Sequence, residues 1–309
     1  MSAAPEELTR QVKQLARDNR MDLVGIADPA RYHAAPRMVR PQAHLPAARA
    51  VVAFAIRYPF AMFERAGKEP ACSMMSLEVY QNKTIGRLLT RAAMRIARSL
   101  EDAGYEAKPM TVSGRWRVHP YKDIPSNWCA DFSNRHAAVA AGLGELGLHS
   151  LIITPQFGMK QRFCSVITDA PLVADPMYTG PPLCDRCMAC VRVCPVKAID
   201  PETLQTVTIG ERTFEVAAVD HWRCAWSEQT NMVAEEGPTY FGQQQSYPPP
   251  ADGEITDEML LQTFWRRCRE VGLQAGMTHA MGACMRVCNP PHLRGTQRFP
   301  AEALGAAPY

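Results

Sequence analysis

Four cysteines fall within eleven residues of this 309-residue chain, in the run CDRCMACVRVCP that begins at Cys184 and ends at Pro195. The gaps of two, two and three residues before a proline are those of bacterial cysteine runs that hold cubane iron–sulfur clusters. Such gaps are too short for a disulfide framework. They let consecutive thiolates surround one cluster while backbone amides point at the sulfurs. The run therefore predicts cluster ligation more strongly than zinc binding, the alternative for four cysteines.

A second set of cysteines follows, and it is incomplete. In two-cluster ferredoxins the fourth cysteine of a run ligates the other cluster. This mirrored arrangement gives the first, 4Fe–4S cluster the ligands Cys184, Cys187, Cys190 and Cys288, and gives the second cluster Cys194, Cys224 and Cys284. Position 281, where a full second run would place one more ligand, is Met281. Cys268 is the candidate in its place; otherwise the second cluster is a 3Fe–4S type or has an unusual ligand.

Composition and charge limit the partners and the cell compartment that we expect for this chain. Lys and Arg total 34 against 31 Asp and Glu, a net charge of +3, and no basic stripe of the kind found in nucleic-acid binders occurs. The first residues carry charges at helical spacing, without the apolar core of a secretion signal or a twin-arginine motif. No apolar stretch suits a membrane span. We therefore expect a soluble, cytoplasmic protein with reduced thiols and with neither a membrane nor a nucleic acid as partner.

Apolar periodicity predicts an α+β fold in two parts. Helices are expected at 6–20, 78–103, 136–146 and 256–272, strands at 22–27, 50–56, 150–154 and 163–168, and a hairpin at 206–216. Gly104 is the expected stop of the second helix. Proline and glycine at 175–182 mark a boundary. The predicted domains are an α/β layer domain at 1–175 and a cysteine-rich domain at 176–309, with an insert at 227–280.

Several segments in order resemble one superfamily. They are GLGELGLHSLIITPQFGMKQRFCSVITDAPLVAD, the cysteine run, VDHWRC and CMRVCNPP. Together they resemble the cobalamin-dependent reductive dehalogenases and epoxyqueuosine reductases over most of the chain. The resemblance implies a nitroreductase-like α/β domain that holds a corrinoid against a ferredoxin-like two-cluster domain. It also implies an oxidoreductase that cleaves a carbon–halogen or carbon–oxygen bond in a small organic substrate, with electrons passing from the clusters to cobalt.

Two alternatives remain open at this stage. The first is an epoxyqueuosine reductase acting on tRNA, although the C-terminal helical extension and the CPWN-like ending of that family are not found, and CNPPHLRG stands there instead. The second is an iron–sulfur electron-transfer protein whose large domain has lost the corrinoid. In the enzyme interpretations an external ferredoxin or flavodoxin supplies the electrons.

The glycine-rich segment has two interpretations. GLGELG matches the dinucleotide-binding pattern G-x-G-x-x-G, but an alanine-rich helical stretch precedes it where that site needs a strand. The resemblance instead implies that the segment lies against the corrinoid, because glycine permits close backbone approach. The candidate corrinoid contacts are Gly142, Gly144, Gly147, Ser150, Thr154 and Phe157. No D-x-H-x-x-G motif occurs, and the resemblance implies base-off cobalamin without a protein histidine on cobalt.

Reductive bond cleavage also needs a proton from a positioned acid. The resemblance to dehalogenases suggests Tyr80 with the basic Arg162, and the resemblance to epoxyqueuosine reductases suggests Asp131. Each residue also has a purely structural interpretation. In that interpretation Tyr80 is a half-buried packing residue, Arg162 is a surface charge at a strand edge, and Asp131 is an aspartate at a helix N-terminus. The segment 110–132, which includes Trp116 and Trp128, is expected to line the active-site entrance. Cys72, Cys129 and Cys164 are expected in the core, and His119 and His136 are interpreted as structural or exposed.

Overall fold

A four-stranded antiparallel sheet forms the centre of the molecule. The computed structural model describes residues 4–61, 84–112, 132–230, 248–251, 253–270 and 282–296. The sheet consists of β1 (Leu23–Ala27), β2 (Ala50–Arg57), β3 (Ala107–Pro109) and β6 (Gln161–Thr168), in the order β1-β2-β6-β3. The central strands β2 and β6 pair from Ala50 opposite Thr168 to Arg57 opposite Gln161. The predicted strands at 22–27, 50–56 and 163–168 are confirmed.

The first face of the sheet is covered by two helices, α1 (Pro5–Asp18) and α2 (Ile85–Asp102). Apolar side chains at helical spacing on α2, among them Leu89 and Ile96, are fully buried against Val52 and Phe54 of β2. The helix ends before Gly104, whose φ of +90° suits glycine. The part of the predicted helix before position 84 lies outside the described residues.

The second face of the sheet is covered by α3 (Asn134–Ala140) and by the hairpin of β7 (Ile199–Ile209) and β8 (Arg212–Val219). Val51, Ala53 and Ala55 of β2 point to this side, while Val52 and Phe54 point to the other. Because β2 is buried on both faces, its sequence is a continuous apolar run without alternation. Phe214 and Val216 of the hairpin share this buried cluster with the alanines of α3.

The helix predicted at 136–146 is wrong in its second half. Helix α3 stops at Ala140, and Gly142 follows with a φ of +76°. A Cβ atom at Gly142 would lie 2.1 Å from the Pro176 carbonyl oxygen, so the chain can pass here only as glycine. The next residues form a small hairpin of β4 (Glu145–Leu146) and β5 (Ile152–Ile153), which partly confirms the strand predicted at 150–154.

The cysteine-rich part adds four helices to the β7–β8 hairpin: α4 (Ala189–Val193), α5 (His221–Thr230), α6 (Asp257–Glu270) and α7 (Ala283–Val287). At the predicted boundary, Asp175 accepts hydrogen bonds from Lys13 Nζ at 2.5 Å and from the Ile26 amide at 2.8 Å. These hydrogen bonds hold the segment at the predicted domain boundary against α1 and β1. None of the helices in the described part of the chain is both long and apolar enough to cross a bilayer.

Candidate iron–sulfur site

Two short helices with nearly the same sequence carry the central cysteines. Helix α4 belongs to ACVRVC at 189–194, and α7 belongs to ACMRVC at 283–288. The two helices pack against each other. Each motif places one cysteine inside the helix and one just after it. The structure thereby brings together cysteines that lie about a hundred positions apart.

The first group of cysteines surrounds a hollow next to α4. The hollow is lined by Cys184, Cys187, Cys190 and Cys288, together with the turn at Leu148 and His149 and the chain at Asn289 and Arg294. Burial, together with the nearby Cys190, Cys184 and Cys187, raises the pKa of Cys288 to about 12. Burial and the neighbouring Cys184 raise the pKa of Cys190 to about 11. The four thiols assigned by sequence to the first cluster therefore lie together.

The second group consists of Cys194, Cys224 and Cys284. Burial, followed by the charges of Cys224 and Cys194, raises the pKa of Cys284 well above its ordinary value. Cys194 and Cys224 both contact the small core around Val196 and Trp226. The structure thus brings together three of the four ligands expected for the second cluster. The side chain of Cys268 and all of Met281 lie outside the described residues.

The grouped thiols fit iron–sulfur clusters. Crowded, buried thiolates repel one another, and a bound metal offsets this cost because a coordinating thiol is deprotonated outright. Among the described residues, no three His, Cys, Asp or Glu side chains form a group that could hold a single metal ion. A zinc site would need its sulfurs within about 2.3 Å of one ion, whereas each cysteine of a cubane binds a different iron. The eight described cysteines form no disulfide.

Backbone amides support both groups. The Leu148 amide donates to Cys184 Sγ at 3.4 Å, and the Ala198 amide donates to Cys194 Sγ at 3.2 Å. Hydrogen bonds to the sulfurs are one of the means by which a protein holds a cluster and tunes its potential. Left-handed backbone at Arg186, Met188 and Lys197 curves the ligand loops around the two groups.

Glu145 holds the start of the first ligand loop. Its buried carboxylate accepts hydrogen bonds from the amides of Leu183 at 2.5 Å and Cys184 at 3.2 Å, and it pairs with Arg212 at 3.0 Å. Glu145 belongs to β4, so the carboxylate links the glycine-rich hairpin to the cysteine run. We did not predict this role from sequence; the pattern offered only an acidic residue in an otherwise apolar stretch.

Two basic side chains lie at Cys288. His149 is buried, and its Nε2 lies 3.3 Å from Cys288 Sγ. Its Nδ1 accepts a hydrogen bond from the Leu151 amide at 3.1 Å. Burial, with the nearby positive Arg135, lowers the pKa of His149 to about 4. Lys160, also buried, donates to Asn289 Oδ1 next to Cys288. Neither residue was predicted from sequence, because no local pattern distinguishes a buried lysine or histidine near a cluster.

The predicted corrinoid contacts serve packing within this chain. A Cβ atom at Gly144 would lie 2.0 Å from the Ile153 carbonyl oxygen, and one at Gly147 would lie 2.7 Å from the His149 ring. Thr154 and Phe157 are fully buried, and the Thr154 hydroxyl accepts from the Phe157 amide at 3.2 Å. The Arg135 guanidinium donates hydrogen bonds to the carbonyl and hydroxyl oxygens of Ser150. In the described structure the close approach that these residues permit is to the chain itself, and their role as corrinoid contacts stays a prediction.

Of the predicted catalytic residues, the structure describes only Arg162. It lies on β6 opposite Ile56 of β2, beyond the stretch of β6 that pairs with β3, and it is partly buried. The guanidinium donates a hydrogen bond to the buried Tyr58 hydroxyl, and burial raises the pKa of Tyr58. Tyr80, Asp131, Trp116 and Trp128 lie outside the described residues, as do Cys72, Cys129 and His119. Cys164 is fully buried, as predicted.

Comparison with known proteins finds relatives through the cysteine-rich part. The family described as 4Fe-4S binding domain matches residues 180–200. The tetrachloroethene reductive dehalogenase of Sulfurospirillum multivorans is 44% identical over 80 residues, which cover 25% of this chain and 14% of the relative. The epoxyqueuosine reductase of Synechococcus sp. (strain CC9605) is 37% identical over 89 residues, which cover 28% of this chain and 27% of the relative. The matches thus span less than a third of either relative.

Two solved structures share the fold over nearly the whole chain. A reductive dehalogenase whose structure suggests a mechanism for B12-dependent dehalogenation has a TM-score of 0.52 at 17% identity, covering 97% of this chain and 42% of that one. An epoxyqueuosine reductase with a modified tRNA stem loop has a TM-score of 0.50 at 17% identity, covering 92% of this chain and 71% of that one. The chain is therefore similar to both the reductive dehalogenases and the epoxyqueuosine reductases, with a mixed α and β fold like theirs and a match to the 4Fe-4S binding domain at residues 180–200.

Proposed function

We propose that this protein is an iron–sulfur reductase that passes electrons through two clusters to a substrate site. The observation that carries the proposal is the convergence of Cys288 on Cys184, Cys187 and Cys190, beside a second group formed by Cys194, Cys224 and Cys284. Two neighbouring groups of thiols match the needs of single-electron transfer over a short path. An external ferredoxin or flavodoxin in the cytoplasm supplies the electrons.

The proposed reaction is reductive cleavage of a carbon–halogen or carbon–oxygen bond in a small organic substrate. Two electrons and one proton enter, a carbon–hydrogen bond forms, and the halide or oxygen leaving group departs with the electron pair of the broken bond. Arg162 is the described candidate for holding charge near the proton donor, because its guanidinium donates a hydrogen bond to the buried Tyr58 just after β2. Tyr80 and Asp131 remain the candidate acids.

Cobalamin is the proposed partner of the clusters, in its base-off form. When bound, it would supply the reductive chemistry at cobalt. The support is the likeness to the reductive dehalogenases, one of which is named for B12-dependent dehalogenation. We also propose the division into a nitroreductase-like domain at 1–175 and a ferredoxin-like domain at 176–309 with an insert at 227–280. Phe214 and Val216 of the second part pack against α3 of the first.

Epoxyqueuosine reduction is the second candidate function. The sequence match to an epoxyqueuosine reductase, 37% over 89 residues, is slightly longer than the match to the dehalogenase, 44% over 80 residues. One relative of similar fold is named as a complex with a tRNA stem loop. The near-neutral charge balance therefore does not exclude a nucleic-acid substrate.

The decisive experiment measures iron and cobalt per chain after anaerobic purification from cells supplied with cobalamin. We expect about seven or eight irons and about one cobalt. The Cys288→Ser variant should lose about half of the iron, while Cys164→Ser, at a buried cysteine that belongs to neither group and donates to the Met110 carbonyl, should keep all of it. Iron without cobalt would contradict the corrinoid reductase and favour an electron-transfer protein.

Substrate assays then separate the two reductases. The loaded protein and a chemical reductant are incubated with halogenated aromatic acids in one set of reactions and with epoxyqueuosine-containing tRNA in another. Release of halide supports the first candidate, and loss of the epoxide supports the second.

A further inference from the structure

The turn from Gly147 to Leu151 lies over the first group of cysteines, far from them in sequence. Two hydrogen-bond donors of this turn point at thiol sulfurs: the Leu148 amide at Cys184 Sγ, and His149 Nε2 at Cys288 Sγ, 3.3 Å away. The second contact is unusual because it comes from a titratable side chain that is almost fully buried.

The surroundings of His149 determine which nitrogen carries the proton. The Leu151 amide has a hydrogen to donate, so Nδ1, 3.1 Å away, must be the acceptor. The neutral imidazole then carries its hydrogen on Nε2, which faces Cys288 Sγ. The ring has room to fold back in this way only because residue 147 is glycine: a Cβ atom there would lie 2.7 Å from the His149 Cε1 atom. Sequence and packing together fix one tautomer and one direction for the donor.

We infer that His149 is a positioning residue that donates its Nε2 hydrogen to the Cys288 thiolate and thereby raises the reduction potential of the first cluster. This inference rests on the proposed function, because it takes Cys288 as a cluster ligand. Reduction adds negative charge that spreads onto the ligand sulfurs. A donor aimed at one of those sulfurs stabilises the reduced cluster more than the oxidised one. The first cluster should therefore accept an electron more readily than it would without the donor.

Two substitutions separate the two nitrogens of the ring. In His149→Asn, the amide oxygen occupies roughly the place of Nδ1 and still accepts from the Leu151 amide, but nothing reaches Cys288. In His149→Gln, the longer side chain places an NH2 group near the position of Nε2 and keeps a donor for Cys288. His136→Asn serves as the matched control, because His136 is a histidine of this part of the fold that contacts Ser133 and not a cysteine.

The test is a redox titration of the full-length, cluster-loaded protein, followed by electron paramagnetic resonance. We expect a lower midpoint potential for one cluster in His149→Asn, and a potential close to the wild-type value in His149→Gln and His136→Asn. The second cluster, whose ligands His149 does not contact, should titrate unchanged in all variants and serves as an internal standard. Loss of iron in His149→Asn but not in His149→Gln would also support a required donor at this position.

Three outcomes would overturn the inference. These are an unshifted potential in His149→Asn, an equal downward shift in His149→Gln, and loss of iron in both variants. The last outcome would mean that the imidazole ring is needed only for packing. If the wild-type chain itself binds no iron, the proposed function fails and the inference with it. A loaded wild-type chain with an unshifted His149→Asn variant overturns the inference alone.

Discussion

One buried carboxylate, that of Glu145, holds the start of the first ligand loop in place. Glu145 accepts from two loop amides and faces Arg212 at 3.0 Å. In Glu145→Gln the negative charge is lost and an amide donor faces the Arg212 guanidinium. We therefore expect the free energy of unfolding to fall by about 1–3 kcal/mol and iron to be lost faster. Urea unfolding and iron release to a chelator measure both effects.

The control for this change is Glu215→Gln. Glu215 also pairs with an arginine, Arg186 at 2.7 Å, but both side chains are exposed. Such pairs contribute little, so less than about 1 kcal/mol should be lost. Equal losses in the two variants would contradict a special role for Glu145.

His136 gives the stability a defined pH dependence. Burial and the adjacent Arg135 lower its pKa from 6.5 to about 4 in the folded protein. The unfolded chain therefore binds the proton first. The stability contribution is fully present above about pH 6.5 and is lost as the pH falls toward 4. Between pH 7 and pH 5 the free energy of unfolding should therefore fall by about 2 kcal/mol because of His136.

Urea unfolding at pH 7 and pH 5 tests this expectation. The wild-type protein should lose about 2 kcal/mol more than His136→Gln over this interval. The exposed His33→Gln variant should behave like the wild type. If wild type and His136→Gln lose the same amount, His136 does not titrate as stated.

At the scale of elements, the β4–β5 hairpin positions the residues that contact the cysteines. Its strands approach each other so closely at Gly144 that a Cβ atom would lie 2.0 Å from the Ile153 carbonyl oxygen. We expect Gly144→Ala to cost about 1–3 kcal/mol or more and to accelerate iron loss, because Glu145 must move with its strand. Thermal unfolding and iron release provide the measurements.

A glycine in an open position is the matched comparison. Gly86 lies in α2, and a Cβ atom there would meet nothing within 4 Å. Gly86→Ala should leave iron binding unchanged and should stabilise the helix by up to about 1 kcal/mol. A similar destabilisation in both variants would mean that the hairpin contact is not responsible.

At the scale of the whole molecule, the cysteine-rich part and the sheet share one core. Phe214 on β8 is buried in the cluster formed by β2, β6 and α3. We expect Phe214→Ala to cost about 3–5 kcal/mol. The loss should lower the urea midpoint of the far-UV circular dichroism and of the cluster absorbance together. Leu204→Ala, at a 44% exposed site on the same hairpin, should change little. Separate transitions for the two signals would instead indicate two independent domains.

Local patterns predicted most of the elements. The apolar face of α2, the stop at Gly104 and the continuous apolar run of β2 each depend on neighbours a few residues away. The end of α3 at Ala140 was missed although its signal is local: Gly142 has a φ of +76°, and the Leu143 amide donates back to the Ala138 carbonyl. Alanine-rich sequence alone favours a longer helix.

The sequence by itself predicted seven ligands of the candidate clusters and their mirrored assignment and left one ligand of the second cluster open. Cluster geometry fixes short spacings between cysteines, and such spacings can be read directly from the sequence. Only the tertiary structure decided what surrounds the sulfurs. His149 lies 139 residues before Cys288, and Lys160 lies 129 residues before Asn289. Their contacts arise from the packing of the glycine-rich hairpin on α4 and α7, and no local pattern encodes which buried polar group will face which sulfur.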